Sequence, residues 1–370
     1  MILPTLGQNL VFLQESIESV INQKEIHKVL VCVDKNSKVK EQIVSSLKKY
    51  PSDKLKLIYG LKGGVSYTLN EGLKASTAPY IARQDDDDIS EKNRFSTQIS
   101  SLVNNKADMC FSSLSMFQEK DKLYTETIHD ADEGFFWQES LILGSKLNHA
   151  TMLANNFFKK ENLFYPNVLA EDYNLWLKIV DKKSIYITSK YIYRYRQHQY
   201  QKTKNWDWKE VYKEVYLNWS RFFNNLNIPY NLNKKKLFFL IFGLSDKVID
   251  FKDYFLLSLY LMNSLNKIKE RPNLNYLNFI ILRTSEILAK YNFQESHFNN
   301  YLIFLNKKYD IKLDFKLFLV ASIRLSKLRS QYEQLGVVSH KIQLDNAQLL
   351  ADNLKLNNKF IMRIYNRLTR

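Results

Sequence analysis

Tyr80–Glu91 reads YIARQDDDDISE: a short apolar run, Tyr80-Ile81-Ala82, then Arg83 and Gln84, then four consecutive aspartates, Asp85 to Asp88. A buried strand can carry such carboxylates to the end of a sheet, where oxygen ligands hold a hard cation. The plainer reading of an acid run is a solvated loop. The neighbouring sequence decides which applies.

Upstream, the chain opens on an apolar strand, Met1-Ile2-Leu3, followed by Pro4-Thr5-Leu6-Gly7. Leu13, Ile17, Val20 and Ile21 recur at helical spacing. Val29–Val33 is a continuous apolar run, the mark of a buried parallel strand, and it ends in the turn Asp34–Ser37. A helix over Val39–Tyr50, a strand over Leu55–Ile58, a break at Gly63-Gly64 and a helix over Val65–Ala75 complete the approach to Tyr80. Strand–helix alternation predicts an α/β fold with a mostly parallel sheet covered by helices on both faces. Ligands of such sheets bind beyond the carboxyl ends of the strands. The loops Pro4–Asn9, Asp34–Ser37 and Asp85–Asp88 should therefore meet at one site, which favours the cation reading of the acid run.

Seven segments in order carry a family resemblance: LPTLGQN (Leu3–Asn9), FLQESIESVINQ (Phe12–Gln23), VCVDKNS (Val31–Ser37), the long run Lys62–Ser90, NHATM (Asn148–Met152), AEDYNLWLKI (Ala170–Ile179) and YRYRQHQYQKT (Tyr193–Thr203). Together they resemble the family 2 glycosyltransferases of GT-A fold, over roughly residues 1–205. That resemblance implies transfer of a sugar from a nucleotide-diphosphate donor to an acceptor hydroxyl, with inversion and with Mn²⁺ or Mg²⁺ as cofactor. The family's D-x-D motif falls on Asp85-Asp86-Asp87. By resemblance Asp87 ligates the metal, Asp85 touches the donor ribose or sugar, Asp86 lies in the donor site, and Asp88 is a second ligand or support. Pro4, Thr5 and Asp34 fall in the donor-binding segments, with Thr5 and Asp34 at positions that contact the nucleotide base. Arg83 orients the aspartates or pairs with them, and His198 approaches the metal or the diphosphate. His149 also matches the subgroup, without an assigned role.

The attacking hydroxyl must lose a proton, which calls for a carboxylate base. The family places it in an acidic pair at a helix start, here Glu171-Asp172, with Asp172 preferred and Glu171 as the alternative. A plain helix-capping role is compatible with either. Two positions depart from the family pattern. Lys35 stands where many members carry a second acid that reads uracil, and a lysine cannot accept a hydrogen bond. Leu69 stands where some members have an arginine near the diphosphate.

The chain's 370 residues allow two domains or more. A composition 45% hydrophobic and 14% aromatic excludes a disordered chain. The net charge of +16 is uneven: 28 basic against 24 acidic residues up to Asn205, and 26 against 14 beyond it. Such a basic back half suits an anionic membrane surface or a polyanionic product. It contains no nucleic-acid recognition motif, so nucleic acid is not expected as a partner. Cys32 and Cys110 lie in apolar runs, as in a reducing compartment. No apolar run is long enough to span a membrane, and the N-terminus lacks a signal peptide. A cytoplasmic protein, peripheral on the inner face of the membrane, is the expectation.

The expected domains are the GT-A domain at 1–205, a helical accessory domain at 206–320 and a heptad-bearing helix at 321–370. In the last, Leu328, Leu335, Ile342, Leu349 and Leu356 are each seven apart, with Asn346 and Asn353 among the alternate core positions. This is a coiled-coil pattern and implies a homo-oligomer. The basic, amphipathic end around Arg363, Arg367 and Arg370 suits anionic lipid. The acceptor implied is a glycan or lipid-linked sugar in bacterial surface polysaccharide synthesis (capsule, exopolysaccharide or lipopolysaccharide). The alternative is a catalytically inactive homologue that serves as a coiled-coil assembly partner.

Overall fold

The structure is a computed structural model that describes residues 1–117, 133–136, 138–145, 147–198, 208–242, 244, 251–265, 280, 283–284 and 287–288. The chain forms two compact units, Met1–Phe222 and the part from Phe223 onward. The heptads and the basic end lie outside the described residues.

In the first unit β1 (Ile2–Thr5), β2 (Val29–Val33) and β3 (Leu55–Tyr59) form a parallel sheet in the order β1-β2-β3. All five residues of β2 are buried, as its unbroken apolar run requires of a central strand. Between the strands lie α1 (Leu10–Ile21), α2 (Lys40–Leu47) and, after β3, α3 (Val65–Ala75). Asn9 starts α1: its side-chain oxygen accepts from the backbone N–H groups of Val11 and Phe12. Leu13, Ile17, Val20 and Ile21 then face the core together, at the spacing read from the sequence.

Helix α3 packs unusually close to the sheet at Gly72. A Cβ there would lie 2.6 Å from Ile2 Cγ2 and 2.9 Å from Cys32 Sγ. Alanine would gain about 1 kcal/mol of helix propensity. Forcing a methyl into that contact costs about 1–3 kcal/mol. Gly72→Ala should therefore lower the melting temperature; an unchanged or higher value in a thermal scan would show that the sheet yields at this point.

From Tyr80 onward the topology departs from the parallel expectation. The elements are β4 (Tyr80–Ala82), β5 (Ile89–Ser90), α4 (Arg94–Asn105), β6 (Met109–Phe117), β7 (Gly134–Phe135), β8 (Leu153–Asn155), α5 (Glu171–Ile179) and β9 (Ile185–Arg196). Their order is β4-β8-β6-β9-β5, with β7 on β9. Only β6 and β9 run parallel; every other pair is antiparallel. The parallel rule depends on helical crossovers, and between β6 and β8 the only helical turns among the described residues are short 3-10 segments, Gln138–Leu143 and His149–Thr151, rather than an α-helix. The two sheets meet where Ile2 bridges Arg83 and the Gln84 N–H donates to Ile2 O at 3.1 Å. The acid run thus leaves the sheet beside the end of β1.

The unit includes α6 (Trp208–Asn225) as far as Phe222, and there the buried Trp219 donates from Nε1 to Ile142 O at 3.0 Å. The second unit contains α7 (Lys234–Ile241), begun by the Asn233 side chain on Lys236 N–H, and α8 (Lys252–Leu265). Among the described residues no helix is long and apolar enough to cross a membrane. Both cysteines are free and buried.

Candidate active site

The ends of β1, β2 and β4 meet, as the alternation predicted, at a cavity of about 350 Å³. Pro4, Thr5 and Asp34 line it from the first two strand ends, and Arg83, Asp85, Asp86 and Asp87 from the third. Glu171 and Asp172 line it from the start of α5, and His198 from beyond β9. Asp88 does not reach the cavity; it is fully buried behind it.

Each aspartate of the run has its own environment. Asp85 pairs with the Arg83 guanidinium through both carboxylate oxygens. Asp86 accepts from Thr5 Oγ1. Asp87 Oδ2 lies 2.8 Å from His198 Nε2. Asp88 accepts from Tyr193 OH and from the Arg196 N–H, both at 2.8 Å. Burial, then the charges of Asp87 and Asp85, pushes the Asp88 carboxyl well above the ordinary carboxylate range. Burial also raises Asp85, against the pull of Arg83. Carboxylate oxygens of Asp85, Asp87 and Asp88 lie within 4.8 Å of one another. Hard oxygen donors that close together suit Mg²⁺ or Mn²⁺. Arg83 occupies both oxygens of Asp85, and protein donors hold both of Asp88. The Asp87 carboxylate, with His198 beside it, faces the cavity, while that of Asp88 does not reach it.

Asp34 fastens a turn. Its Oδ1 accepts from Asn36 N–H at 2.8 Å, and its Oδ2 from Gly64 N–H at 2.8 Å and Thr68 Oγ1 at 3.2 Å. It thereby ties the loop after β2 to the start of α3, where Gly64 takes a φ of 118° that favours glycine. Lys35, beside it, is exposed.

Helix α5 begins abruptly because Ala170 is left-handed, with φ 52° and ψ 48°. The acidic pair therefore occupies the first turn, where the helix dipole favours negative charge. Burial, then the neighbouring Asp172, raises the Glu171 carboxyl to about 7. Burial raises Asp172 as well, while the Tyr173 N–H, donating to its Oδ1 at 2.7 Å, pulls it down. His149 lies alongside, its Nδ1 4.0 Å from Glu171 Oε1 and its Nε2 2.8 Å from Tyr165 OH. Burial, then Arg83, holds its imidazole neutral, well below the ordinary histidine range.

The Glu171 shift has a consequence for stability. An unfolded glutamate ionises near 4.5, the folded one near 7. Between those values the folded chain binds more protons, so this group's contribution falls as pH rises through the window. Glu171→Gln should accordingly raise the melting temperature at pH 8 and leave it nearly unchanged at pH 4. An equal effect at both would refute the assignment.

Sequence reading did not single out four residues that shape the site. Tyr193 and Arg196 hold Asp88, and Arg196 pairs with Glu15 at 2.6 Å while its Nε donates to Asp87 O. Tyr165 closes the cluster at His149. Arg94 lies buried under the acid run. Tyr193 and Arg196 sit within the quoted YRYRQH segment, which was the available signal.

The family model for glycosyl transferase family 2 matches residues 1–168. An uncharacterized glycosyltransferase of Rickettsia felis is 28% identical over 176 residues, 46% of this chain and 28% of that protein. One of Rickettsia bellii is 26% identical over 178 residues, 48% of this chain and 25% of that protein. The chain thus spans about a quarter of the length of the curated relatives it matches. Among solved structures it is similar to S. aureus TarS 1–349 in complex with UDP-GlcNAc, at 14% identity and a TM-score of 0.49, covering 90% of this chain and 91% of that one. The match to the glycosyl transferase family 2 model thus falls within the first unit, whose strand order and acid loop have the mixed α/β, GT-A type of fold.

Proposed function

We propose that the chain is a metal-dependent, inverting glycosyltransferase. It moves a sugar from a nucleotide-diphosphate donor to a glycan or lipid-linked acceptor in bacterial surface polysaccharide synthesis, at the inner face of the membrane. The observation that carries this reading is the meeting of two separate carboxylate sets on one cavity: Asp85–Asp87 from the end of β4 and Glu171-Asp172 from the start of α5. One set suits a cation and the donor, the other a reacting hydroxyl.

Asp87 and His198 would hold the cation, which when bound supplies positive charge against the leaving diphosphate. Arg83 fixes Asp85, and Thr5 fixes Asp86, so the loop presents its carboxylates in one arrangement. Asp172 would take the proton from the acceptor oxygen. Burial raises its affinity for protons above that of an ordinary aspartate, which suits a general base. Glu171, raised to about 7, would stay largely protonated below pH 7 and so spare Asp172 a second adjacent charge.

The test is a panel of UDP-, GDP-, dTDP- and CMP-sugars with Mn²⁺ or Mg²⁺ and a lipid-linked acceptor extract. Metal-dependent release of one nucleoside diphosphate, with an inverted anomeric centre in the product, supports the reading. No turnover of any donor overturns it in favour of the assembly-partner alternative. The heptads from Leu328 to Leu356 support a second copy of the chain as partner. Light scattering before and after removal of residues 321–370 should show the mass per particle fall by more than the tail itself.

A further inference from the structure

Beneath the acid run lies a cation that no carboxylate neutralises directly. Arg94, the first residue of α4, has no solvent exposure and, among the described residues, forms no ion pair. All of its acceptors are neutral. Its Nε donates to Gln98 Oε1 at 3.1 Å. Nη1 donates to Gln84 Oε1 at 2.7 Å and Ser90 Oγ at 2.9 Å. Nη2 donates to Arg83 O at 2.7 Å and Ala150 O at 3.1 Å. Burial lowers even this guanidinium, to about 10. A well-packed apolar side chain is often no less stable than a buried charge, so stability alone is a weak reason for an arginine here.

Its acceptors supply a better one. Arg83 and Gln84 immediately precede Asp85, and Ser90 follows Asp88 by two residues, so one planar fork grips both ends of the acid loop. Gln84 extends the grip inward, its Nε2 donating to Asp88 O at 2.9 Å and Ser16 Oγ at 3.1 Å. The Tyr193 ring lies over the guanidinium, 4.8 Å from centroid to Cζ. The same tyrosine donates from OH to Asp88 Oδ2 and accepts the Asp85 N–H at 3.2 Å. The bond to Ala150 O reaches a different wall, for Ala150 and His149 line the same cavity. Four adjacent carboxylates repel one another strongly at low dielectric. A fixed positive charge at the root of their loop offsets that repulsion whether or not a metal is present.

We propose that Arg94 is a positioning residue: a buried cation that shapes the Asp85–Asp88 loop and locks it to the His149–Ala150 wall before any metal or donor arrives. The role in loop shape is independent of the enzymatic reading; its value for metal affinity rests on that reading. Lysine would keep the charge but offers three donors from one point, which cannot span acceptors on three segments.

Hydrogen exchange on the metal-free full chain tests it, comparing wild type, Arg94→Lys and Leu102→Ala. Leu102 lies on the same helix, two turns further on, in the core rather than at the loop. In Arg94→Lys, exchange should quicken by about tenfold or more in peptides covering Arg83–Glu91 and His149–Met152, with β2 and α3 unchanged. Leu102→Ala should leave those two peptides as in wild type. Titration with Mn²⁺ alone should show affinity about 10–100-fold weaker in Arg94→Lys and unchanged in Leu102→Ala. Unaltered loop exchange in Arg94→Lys overturns the proposal, as does equal loosening by Leu102→Ala. Should Arg94→Lys fail to fold, Ser90→Ala removes one acceptor only and must loosen the same two peptides, to a smaller degree. If wild type binds no Mn²⁺ yet Arg94→Lys loosens the loop, the metal reading falls and the positioning role stands.

Discussion

Asp87→Ala is expected to abolish metal-stimulated donor turnover, a loss of at least about 10³-fold, with little change in melting temperature. The four aspartates are adjacent in sequence, yet their replacement should have different effects. Arg83 holds both oxygens of Asp85, Thr5 holds Asp86, and Tyr193 and the Arg196 N–H hold Asp88. Asp87 faces the cavity and, among the hydrogen bonds of the described residues, its carboxylate meets His198. On the proposed reading its removal subtracts a metal ligand without stranding a buried partner. Asp85→Ala, by contrast, leaves the buried Arg83 guanidinium unpaired. It should destabilise the fold by about 3–5 kcal/mol. Parallel assays of nucleoside diphosphate release and thermal unfolding on both variants separate the two. Full turnover by Asp87→Ala would remove the cation from the mechanism.

Asp172→Asn should lower kcat by about 10³-fold while the donor KM changes little. The amide keeps the shape and can still accept the Tyr173 N–H, but it cannot take a proton. The acid limb of the wild-type kcat/KM profile should lie above the ordinary aspartate range, because burial raises this carboxyl. That limb should vanish in the variant. Glu171→Gln should retain most activity. Should the two variants behave the other way round, Glu171 is the base and the roles of the pair exchange.

The part of the fold that the sequence made legible is the part where polarity and burial coincide. Strand β2 was read without error because all five of its residues are both apolar and buried, and α3 because Gly64 marks its start. The three convergent loops followed from topology alone, and the structure places their residues on one cavity. What escaped was buried polarity. Phe95, Ile99 and Leu102 give helix α4 an apolar stripe, but Arg94 and Gln98 are polar residues on the buried side; both have no exposure, Arg94 holding the loop from inside and Gln98 supporting Arg94. The spacing of apolar residues marks the buried face, but not which polar side chains on it carry a role. The pairing of β4, β6, β8 and β9 also escaped, since short strands acquire partners and direction from segments far along the chain.

The chain's only two cysteines make a built-in clock for the opening of its core. Cys32 lies in β2 of the first sheet and Cys110 in β6 of the second, and neither has any exposure. Burial pushes each thiol up to about 12, so neither offers a thiolate while the protein is closed. A thiol reagent at pH 8 can modify a cysteine only when its strand separates from its neighbours, and the labelling rate then counts those separations. Replacing one cysteine at a time by alanine leaves a single reporter per sheet. Equal rates would mean that the two sheets open as one cooperative body; a faster Cys110 would mean that the sheet bearing β9 and the hold on Asp88 gives way first.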